Sequence, residues 1–525
     1  MGRIYLLDCT LRDGGYVNNW MFGRNRITSI LQRLVESNVE YIECGYLTEK
    51  NGFSADSTKF SNFDAVRSVL PKQKENQHYS VMIDFGTYDI EHLPGAVADS
   101  PLVRVCFHKK DAVDALSFCQ KLIGKGYGVL IQPMVSISYS DAEFLQVIDK
   151  VNQMNPLGFY IVDSFGSMEL PDFRRLLFLA DHNLSQNILL GYHAHNNLQQ
   201  AYENAKYMVD VELQHDVLLD ACVYGMGRGA GNLNIELFAG YLNLHHGKNY
   251  NIDAFLEILD KYLMVFFSEK YWGYSLPFYL SARYNCHPNY ASYFAEKNTL
   301  SYESFGKLLA ALPDDVKLSF SENEAERYYS EFVRKNIDDQ EAIRNLKVAF
   351  ENKNILILAP GKSLKTEKDK IDAYIESHDC TIIAAGVAPQ EFPCDYLFCC
   401  NEKRMDLICF SDAYQIIMTS NIDIDRQKTI CINYASCLTG SSLISANPVL
   451  MIIQMLIRMG IGNVAVAGFD GYRLLAADNY YDPQLAMGSS NLTKIERNAL
   501  ITEAIRELSN RIAIDFITQS LYTVR

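Results

Sequence analysis

The sequence lacks any long apolar run, since no stretch of roughly 18 residues is free of charges as a membrane-spanning helix would require. It also lacks an excess of basic residues, with 48 Lys and Arg against 63 Asp and Glu and a formal charge of −15. Because nucleic-acid phosphates are bound by basic faces, we expect no nucleic-acid partner. The first apolar run, Ile4–Leu7, is too short for a secretory signal and is followed by Asp8, so we expect a cytoplasmic protein without a membrane span.

Paired cysteines are missing as well. The 13 cysteines are an odd number, are scattered along the chain and form no Cys-x-x-Cys pair. This pattern indicates free thiols in a reducing compartment rather than a disulfide framework. Hydrophobic residues make up 48% of the chain, which excludes a disordered or collagen-like protein.

Eight short apolar runs alternate with amphipathic segments in the first half of the chain. In the first amphipathic segment, Ile27, Ile30 and Leu34 share one helical face. Strand–helix alternation repeated eight times predicts a (β/α)8 TIM barrel of the α/β class. An open doubly wound sheet would also fit the alternation, but the count of eight favours the barrel. The candidate strands are 3–8, 40–46, 79–84, 102–107, 128–134, 158–163, 188–193 and 216–222.

Two further segments differ from the first. Residues 248–350 are helical in period without clear strands, and we expect a helical domain packed on the barrel. Residues 351–525 return to strand–helix alternation, which predicts a Rossmann-like α/β domain. With the barrel over 1–247 this gives three domains, in keeping with a prior of roughly 150 residues per domain. The candidate strands of the last domain are 355–358, 380–385, 395–399, 414–418, 429–433 and 463–467.

Three motifs lie where candidate strands of the barrel end. They are TLRDG at 10–14, HAHNN at 193–197 and GMGRGAGN at 225–232. Two residues apart on a strand, His193 and His195 point to the same side and can face one ion. The glycines of the third motif let the backbone approach a ligand closely. Because barrel active sites lie at the C-terminal rim, the three motifs together predict a catalytic centre.

These motifs resemble those of the HMG-CoA-lyase-like superfamily of metallo-aldolases and Claisen-condensing enzymes, and the resemblance is strongest to 4-hydroxy-2-oxovalerate aldolases. It covers residues 1–245 and extends more distantly through the helical part. The resemblance implies that Asp13, His193 and His195 are ligands of a divalent metal, with Asn232 as a further ligand. It implies that Arg12 is the catalytic arginine. Active-site or substrate-binding roles are expected for further residues at the rim, namely Glu43, Asp163, Ser164, Gly227 and Gly229.

The ligand set fits this chemistry on physical grounds. One carboxylate and two imidazoles with open water positions suit Mn²⁺ or Mg²⁺, with Co²⁺ or Zn²⁺ as alternatives. A 2-oxo acid can chelate such an ion through its keto and carboxylate oxygens. Loss of a proton from C3 gives an enolate, whose oxygen Arg12 would stabilise. The enolate then attacks an aldehyde, or the reverse reaction cleaves the bond. We expect neither NAD nor haem.

The residue that transfers the proton is left open. Where the aldolases carry a His shortly after the Arg-Asp-Gly motif, this chain has Gly15 and Tyr16. A tyrosine with an ordinary pKa of about 10 is a poor base at neutral pH. The candidates are Tyr16, Glu43, a metal-bound water, Tyr274 and His287, of which His287 fits a surface or structural histidine better.

The C-terminal part offers a second candidate site. Its segments 355–364 and 438–472 resemble bacterial sialyltransferases with a single Rossmann-like domain and the related pterin-pyrophosphokinase-like group. Those transferases use a His in the loop that here spans 478–491 and contains none. A transferase activity and a domain used only for binding or dimerisation therefore both stay open. The resemblance implies a nucleotide or CMP-sugar pocket formed by Gly361, Ser363, Asn401, Ser441 and Asp470.

The sequence thus predicts a fused enzyme in which a class II, metal-dependent aldolase acts on a pyruvate-type 2-oxo acid and an aldehyde. The fusion suggests, by analogy, bacterial surface-polysaccharide biosynthesis. One alternative is an acyl-CoA-dependent Claisen enzyme of the same fold, although the chain has no basic cluster for the CoA phosphates. Another is a non-catalytic scaffold, against which stand the intact Arg12 and Asp13 and the histidine pair. We expect a homo-oligomer, most simply a dimer.

Overall fold

The structure is a computed structural model, and it describes residues 2–407, 413–422, 429–441, 443–475, 478–485 and 491–523. The chain divides into two compact units. The first comprises Met1–Ser292 with Pro313–Phe320, and the second comprises Tyr293–Leu312 with Ser321–Arg525. The three domains predicted at 1–247, 248–350 and 351–525 stay a prediction. In the part of the chain that is described, no helix combines the length and the apolarity needed to cross a membrane.

The first unit contains a closed parallel barrel, which confirms the predicted TIM barrel. Its strands pair in the order β1-β9-β8-β7-β6-β5-β4-β2, and pairing of β1 with β2 closes the ring. The short β3 adds to the outer edge of β2. The strands are β1 (Ile4–Asp8), β2 (Tyr41–Leu47), β3 (Lys59–Phe60), β4 (His78–Asp84), β5 (Leu102–Phe107), β6 (Val129–Pro133), β7 (Gly158–Asp163), β8 (Leu189–Ala194) and β9 (Val217–Ala221).

Amphipathic helices cover the barrel because each has one apolar face to bury. In α3 the buried residues include Ile27, Ile30 and Leu34, which share the face predicted from the sequence. In α6 a capping box of Ser140 and Glu143 satisfies the first backbone N–H groups. The helices are α1 (Thr10–Asp13), α2 (Gly15–Asn18), α3 (Arg24–Glu36), α4 (Phe63–Arg67), α5 (Ala112–Gly124), α6 (Asp141–Met154), α7 (Leu170–Asn183), α8 (Ala201–Asp210) and α9 (Ile235–His245).

The segment that follows is helical, as its periodicity predicts. Its helices contribute to both compact units, since residues up to 292 belong to the first and residues 293–312 to the second. They are α10 (Ile252–Ile258), α11 (Met264–Glu269), α12 (Leu276–Arg283), α13 (Pro288–Lys297), α14 (Tyr302–Ala311), α15 (Asp314–Lys317), α16 (Glu322–Val333) and α17 (Gln340–Phe350). A π-helical turn, Leu259–Leu263, joins α10 to α11.

The second unit is built on a parallel sheet of seven strands in the order β14-β13-β12-β11-β10-β15-β16. Six of these strands coincide with predicted ones, and the edge strand β16 was missed. The strands are β10 (Asn354–Leu358), β11 (Cys380–Ala385), β12 (Tyr396–Cys399), β13 (Gln415–Thr419), β14 (Thr429–Ile432), β15 (Asn463–Ala467) and β16 (Ala513–Phe516). The helices beside it are α18 (Ser363–Thr366), α19 (Lys368–Ser377), α20 (Pro448–Met459) and α21 (Asn491–Leu508).

Candidate active site

Three side chains converge at the C-terminal rim of the barrel. Asp13 ends α1, directly after β1, while His193 lies in β8 and His195 follows it. Asp13 Oδ2 lies 4.0 Å from His193 Nε2 and 3.8 Å from His195 Nε2. One ligand atom from each residue lies within 4.8 Å of the other two, and all three residues are buried. The structure therefore places the three predicted ligands around one point, at a spacing that suits a single ion.

Asn232 joins this group from the glycine-rich loop after β9. Its Nδ2 donates a hydrogen bond to Asp13 Oδ2. Its Oδ1 is buried and has no partner in the described part of the chain, so an oxygen ligand is available beside the other three. At Gly227 a Cβ atom would lie 2.1 Å from Asn232 Nδ2 and 3.2 Å from Asp13 Oδ2. A side chain at this position would push Asn232 from its place beside Asp13, whereas glycine lets the loop backbone lie against the ligand group.

Arg12 lies beside this group and is held from two sides. Its Nε donates to Glu43 Oε2 at 2.8 Å, and its Nη1 donates to Asp13 Oδ1 at 2.8 Å. Burial opposes the charged guanidinium, but the two carboxylates outweigh it and hold the pKa of Arg12 well above its usual value. Its Nη2 is buried and has no partner among the described residues. One charged N–H group thus stays available for a bound anion.

Two buried charges in the strands were missed by the sequence analysis. Arg104 in β5 pairs with Glu43 at 2.8 Å and with Asp220 in β9. Asp220 also accepts from His193 Nδ1 at 2.8 Å and from the Tyr160 hydroxyl at 3.0 Å. Arg104 and Asp220 are charged residues within otherwise apolar strands, and this sequence pattern could have indicated a buried ion pair.

The surroundings shift the two histidines in opposite directions. Burial opposes a charged imidazole in both. At His193 the hydrogen bond to Asp220 outweighs burial and raises the pKa to about 9. At His195 burial dominates and lowers the pKa to about 3, so the neutral imidazole is favoured there. Burial would raise the pKa of Asp13, but the charged Arg12 beside it outweighs burial and lowers the pKa, so Asp13 is a carboxylate.

The proton-transfer candidates lie in different surroundings. The Tyr16 hydroxyl lies 3.2 Å from the Tyr46 hydroxyl, and burial raises the pKa of Tyr16. His287 is enclosed between the rings of Phe165 and Phe320, and its Nε2 accepts from Arg228 Nη1 at 3.1 Å. Tyr274 lies at the surface with half of its area exposed, so the structure does not bring it to the buried group.

The remaining predicted rim residues shape the loops around the site. Both oxygens of Asp163 accept backbone N–H groups, from Ser167 at 2.9 Å and from Met168 at 3.0 Å. The Ser164 hydroxyl accepts from the backbone N–H of Val135 at 2.9 Å. Gly229 has a left-handed backbone with φ +69°, where side chains other than hydrogen are strained.

The second unit contains a cavity of about 170 Å³ at the carboxyl ends of β10 and β15. Three of the five residues predicted for a nucleotide pocket line it, namely Gly361, Asn401 and Asp470. Ser363 lies behind Asp470, to which its backbone N–H donates at 2.8 Å. Ser441 is exposed and is not part of the cavity lining. Of the predicted loop 478–491, residues 486–490 lie outside the described residues.

The barrel is similar in sequence to known proteins. Residues 3–260 match the family model HMGL-like. These residues form an HMGL-like domain. Over 241 residues the chain is 26% identical to oxaloacetate decarboxylase of Mycobacterium tuberculosis, which covers 45% of this chain and 69% of the relative. Over 260 residues it is 27% identical to 4-hydroxy-2-oxovalerate aldolase of Thermomicrobium roseum, covering 47% of this chain and 68% of the relative.

Among solved structures, the N-terminal domain of a candidate aldolase from Bacteroides vulgatus is 24% identical, with a TM-score of 0.48. The match covers 55% of this chain and 96% of that one. The two curated relatives of the HMGL-like domain are thus a decarboxylase and an aldolase. The family match ends at residue 260, and the resemblance of the C-terminal part to sialyltransferases stays a prediction.

Proposed function

We propose that the HMGL-like domain is a class II, divalent-metal-dependent carbon–carbon lyase. It makes or breaks a bond between the enolate of a pyruvate-type 2-oxo acid and an aldehyde. The observation that supports this most directly is the convergence of Asp13, His193 and His195 beside the free Nη2 of Arg12. Such a donor set suits Mn²⁺ or Mg²⁺, with Co²⁺ or Zn²⁺ as alternatives.

Asp13, His193 and His195 would hold the metal, and Asn232 Oδ1 is the available fourth protein ligand. When bound, the ion supplies a Lewis acid that polarises the substrate carbonyl. Asp220 holds the proton of His193 on Nδ1, so that Nε2 faces the centre.

Arg12 acts on the charge that develops in the reaction. As the C3 proton leaves, negative charge builds on the substrate oxygen, and the fixed Nη2–H group of Arg12 would stabilise it. Glu43 orients Arg12 and is itself held by Arg104, so the guanidinium needs little reorganisation during the reaction. Tyr16 keeps its proton at neutral pH, because burial raises its pKa, and can donate a hydrogen bond to the substrate.

The test of this proposal is enolisation, which requires no knowledge of the aldehyde. The protein is incubated with pyruvate and Mg²⁺ or Mn²⁺ in D₂O, the reaction is stopped with a chelator, and loss of the methyl proton signal is followed by NMR. We expect exchange that depends on metal and is lost in His195→Ala. His182→Ala, at the surface, serves as the control. Exchange that persists in His195→Ala, or consumption of acetyl-CoA with a 2-oxo acid, would count against the aldolase.

For the second unit we propose a nucleotide or nucleotide-activated sugar as ligand, with CMP-sugars as the first class to test. The cavity at the ends of β10 and β15 supports this, because ligands of open parallel sheets bind at the carboxyl ends of the strands. We further propose that the two activities serve bacterial surface-polysaccharide biosynthesis in the cytoplasm, and that the protein is a homo-oligomer. Binding of CMP to the full chain, measured by calorimetry, tests the first of these points.

A further inference from the structure

The cavity of the second unit lies where the order of the strands in the parallel sheet reverses. From β10 the chain continues to β11 on one side, while β15, its neighbour on the other side, continues to β16 at the edge. The loops after β10 and β15 therefore separate and leave a crevice between them. The volume of about 170 Å³ is several times the roughly 30 Å³ that one water occupies, so the crevice has room for a small-molecule group.

Two arginines line this crevice without a carboxylate partner. Arg404 follows β12 and Arg497 lies in α21, and within the described ranges neither forms an ion pair. Arg404 Nη1 and Arg497 Nε are buried and have no hydrogen-bond partner there. Buried N–H groups of a charged side chain are costly to leave without a hydrogen-bond partner. These two N–H groups are therefore candidates for ligand contacts.

The hydrogen bonds that these arginines do make go to neutral acceptors. Arg404 Nη2 donates to the Tyr480 hydroxyl at 3.4 Å and to the Leu485 carbonyl at 3.3 Å. Arg497 Nη2 donates to the Glu296 carbonyl at 3.1 Å. These contacts orient both side chains without neutralising them.

The two arginines lie along the same crevice. Arg404, Arg497 and Tyr472 all line the one cavity. Residues far apart in the sequence thus place two positive charges along one crevice.

Lys297 and Asp470 are the other charged side chains of the crevice. Lys297 Nζ lies 2.6 Å from Glu326 and is paired. Asp470 accepts hydrogen bonds from the backbone and the hydroxyl of Ser363, which are neutral, so its carboxylate keeps its charge. Two guanidinium charges and one carboxylate charge thus remain among the described residues of the lining, and the crevice is positive overall. A phosphate group carries nearly two negative charges and several acceptor oxygens, which suits two guanidinium groups.

We propose that Arg404 and Arg497 together form a subsite for a phosphate group of the ligand of the second unit. This subsite does not depend on the lyase reaction. It rests on the proposed nucleotide function, which supplies a ligand that carries phosphate. The guanidinium groups bind the phosphate oxygens through Arg404 Nη1 and Arg497 Nε. The remainder of the ligand extends along the crevice past Tyr472.

The test uses the full chain and calorimetry with three probes: inorganic pyrophosphate, CMP and cytidine. We expect pyrophosphate and CMP to bind, more weakly as ionic strength rises, and cytidine to bind at least about tenfold more weakly than CMP. Arg404→Gln and Arg497→Gln should each weaken pyrophosphate and CMP about tenfold or more. Arg506→Gln, on the exposed side of the same helix α21, is the matched control and should change neither. Thermal unfolding of each variant shows that the fold is kept.

The outcomes separate this inference from the nucleotide proposal. If pyrophosphate binds through the two arginines and CMP does not, the phosphate subsite stands and the CMP-type ligand is wrong. If cytidine binds as well as CMP and neither arginine variant changes the affinity, the nucleotide proposal survives and the phosphate subsite is wrong. Failure of both pyrophosphate and CMP to bind would also overturn the subsite.

Discussion

His193 Nδ1 lies 2.8 Å from Asp220 Oδ2, inside the barrel and below the proposed metal ligands. Asp220 is in turn held by Arg104 and by the Tyr160 hydroxyl, so its position is fixed from two further sides. The hydrogen bond keeps the proton of His193 on Nδ1 and turns Nε2 towards Asp13 and His195. Asp220 is therefore a positioning residue for the site, although it comes from a different strand.

Replacing Asp220 should weaken metal binding without removing a ligand. In Asp220→Asn the imidazole loses its charged acceptor, and we expect the affinity for Mn²⁺ to fall about 10- to 100-fold. Titration calorimetry with the full chain measures this, and Asp149→Asn on the exposed face of α6 is the control. Unchanged affinity in Asp220→Asn would show that the carboxylate has no part in orienting His193.

Replacing Arg12 should slow the reaction without weakening metal binding. In Arg12→Lys the rate of pyruvate proton exchange should fall by about 100-fold or more, because an ammonium group cannot keep both carboxylate contacts and still offer a fixed N–H group to the enolate. The bound metal, measured by elemental analysis, should be retained. Arg24→Lys, at the surface, is the control. An equal loss of metal and of exchange would mean that Arg12 only holds Asp13 in place.

Gly227 should tolerate no side chain. In Gly227→Ala the new Cβ would meet Asn232 Nδ2 at 2.1 Å, so we expect loss of metal binding and a fall of about 1–3 kcal/mol in the free energy of unfolding. Apart from its own helix, no described residue comes within 4 Å of the position of such a Cβ at Gly240 in α9, and Gly240→Ala should instead stabilise the protein by about 0.5–1 kcal/mol. Denaturant unfolding and metal titration of the two variants provide the comparison.

A pH-dependent contribution to stability is expected from Asp339 in the second unit. Arg458 donates to both of its oxygens, at 2.8 and 2.6 Å, and the backbone N–H of Asn433 donates at 2.9 Å. Burial alone would raise the pKa of Asp339, but these bonds lower it below the unfolded value. The stabilisation is therefore present above the unfolded pKa near 3.8 and is lost as the pH falls through the lower folded value.

We accordingly expect Asp339→Asn to reduce the free energy of unfolding by about 1–3 kcal/mol at pH 7. The difference from the unaltered protein should shrink as the pH is lowered below about 4. Asp369→Asn, at an exposed position, should show no such difference. A difference that stays constant between pH 7 and pH 3 would contradict the assigned role of the ionised Asp339.

The sequence predicted the barrel well because its strands are apolar runs at regular spacing, and each motif of the rim follows a strand directly. Asp13 and the histidine pair could be grouped because all barrel strands end at the same rim. The contacts of Arg104 could not be predicted, since Glu43 and Asp220 are distant in the chain and meet it only through the strand order of the closed barrel. The exposure of Tyr274 likewise depends on how the helical segment folds.

In the second unit the local sequence carried less information. The strand β16 is a short edge strand whose residues alternate between exposed and half-buried, so it has no apolar run to mark it. Arg404 and Arg497 could not be predicted as a pair, because neither lies in a recognisable motif and only the tertiary structure brings both to one cavity. Asp339 lies between charged and polar neighbours in the sequence, and its burial follows from pairing with Arg458 in α20.

The three proposed ligands also make the first unit a system of ligand-linked folding. Asp13 follows β1 and His193 lies in β8, and β9 lies between these two strands in the barrel. A cation bound by Asp13 and His193 would link β1 to β8 across β9, the last strand of the barrel in chain order. At a concentration 100 times its dissociation constant, it would add about 2.7 kcal/mol to the stability of the closed form. Chelation should therefore lower the melting transition of the first unit, while that of the second stays where it is.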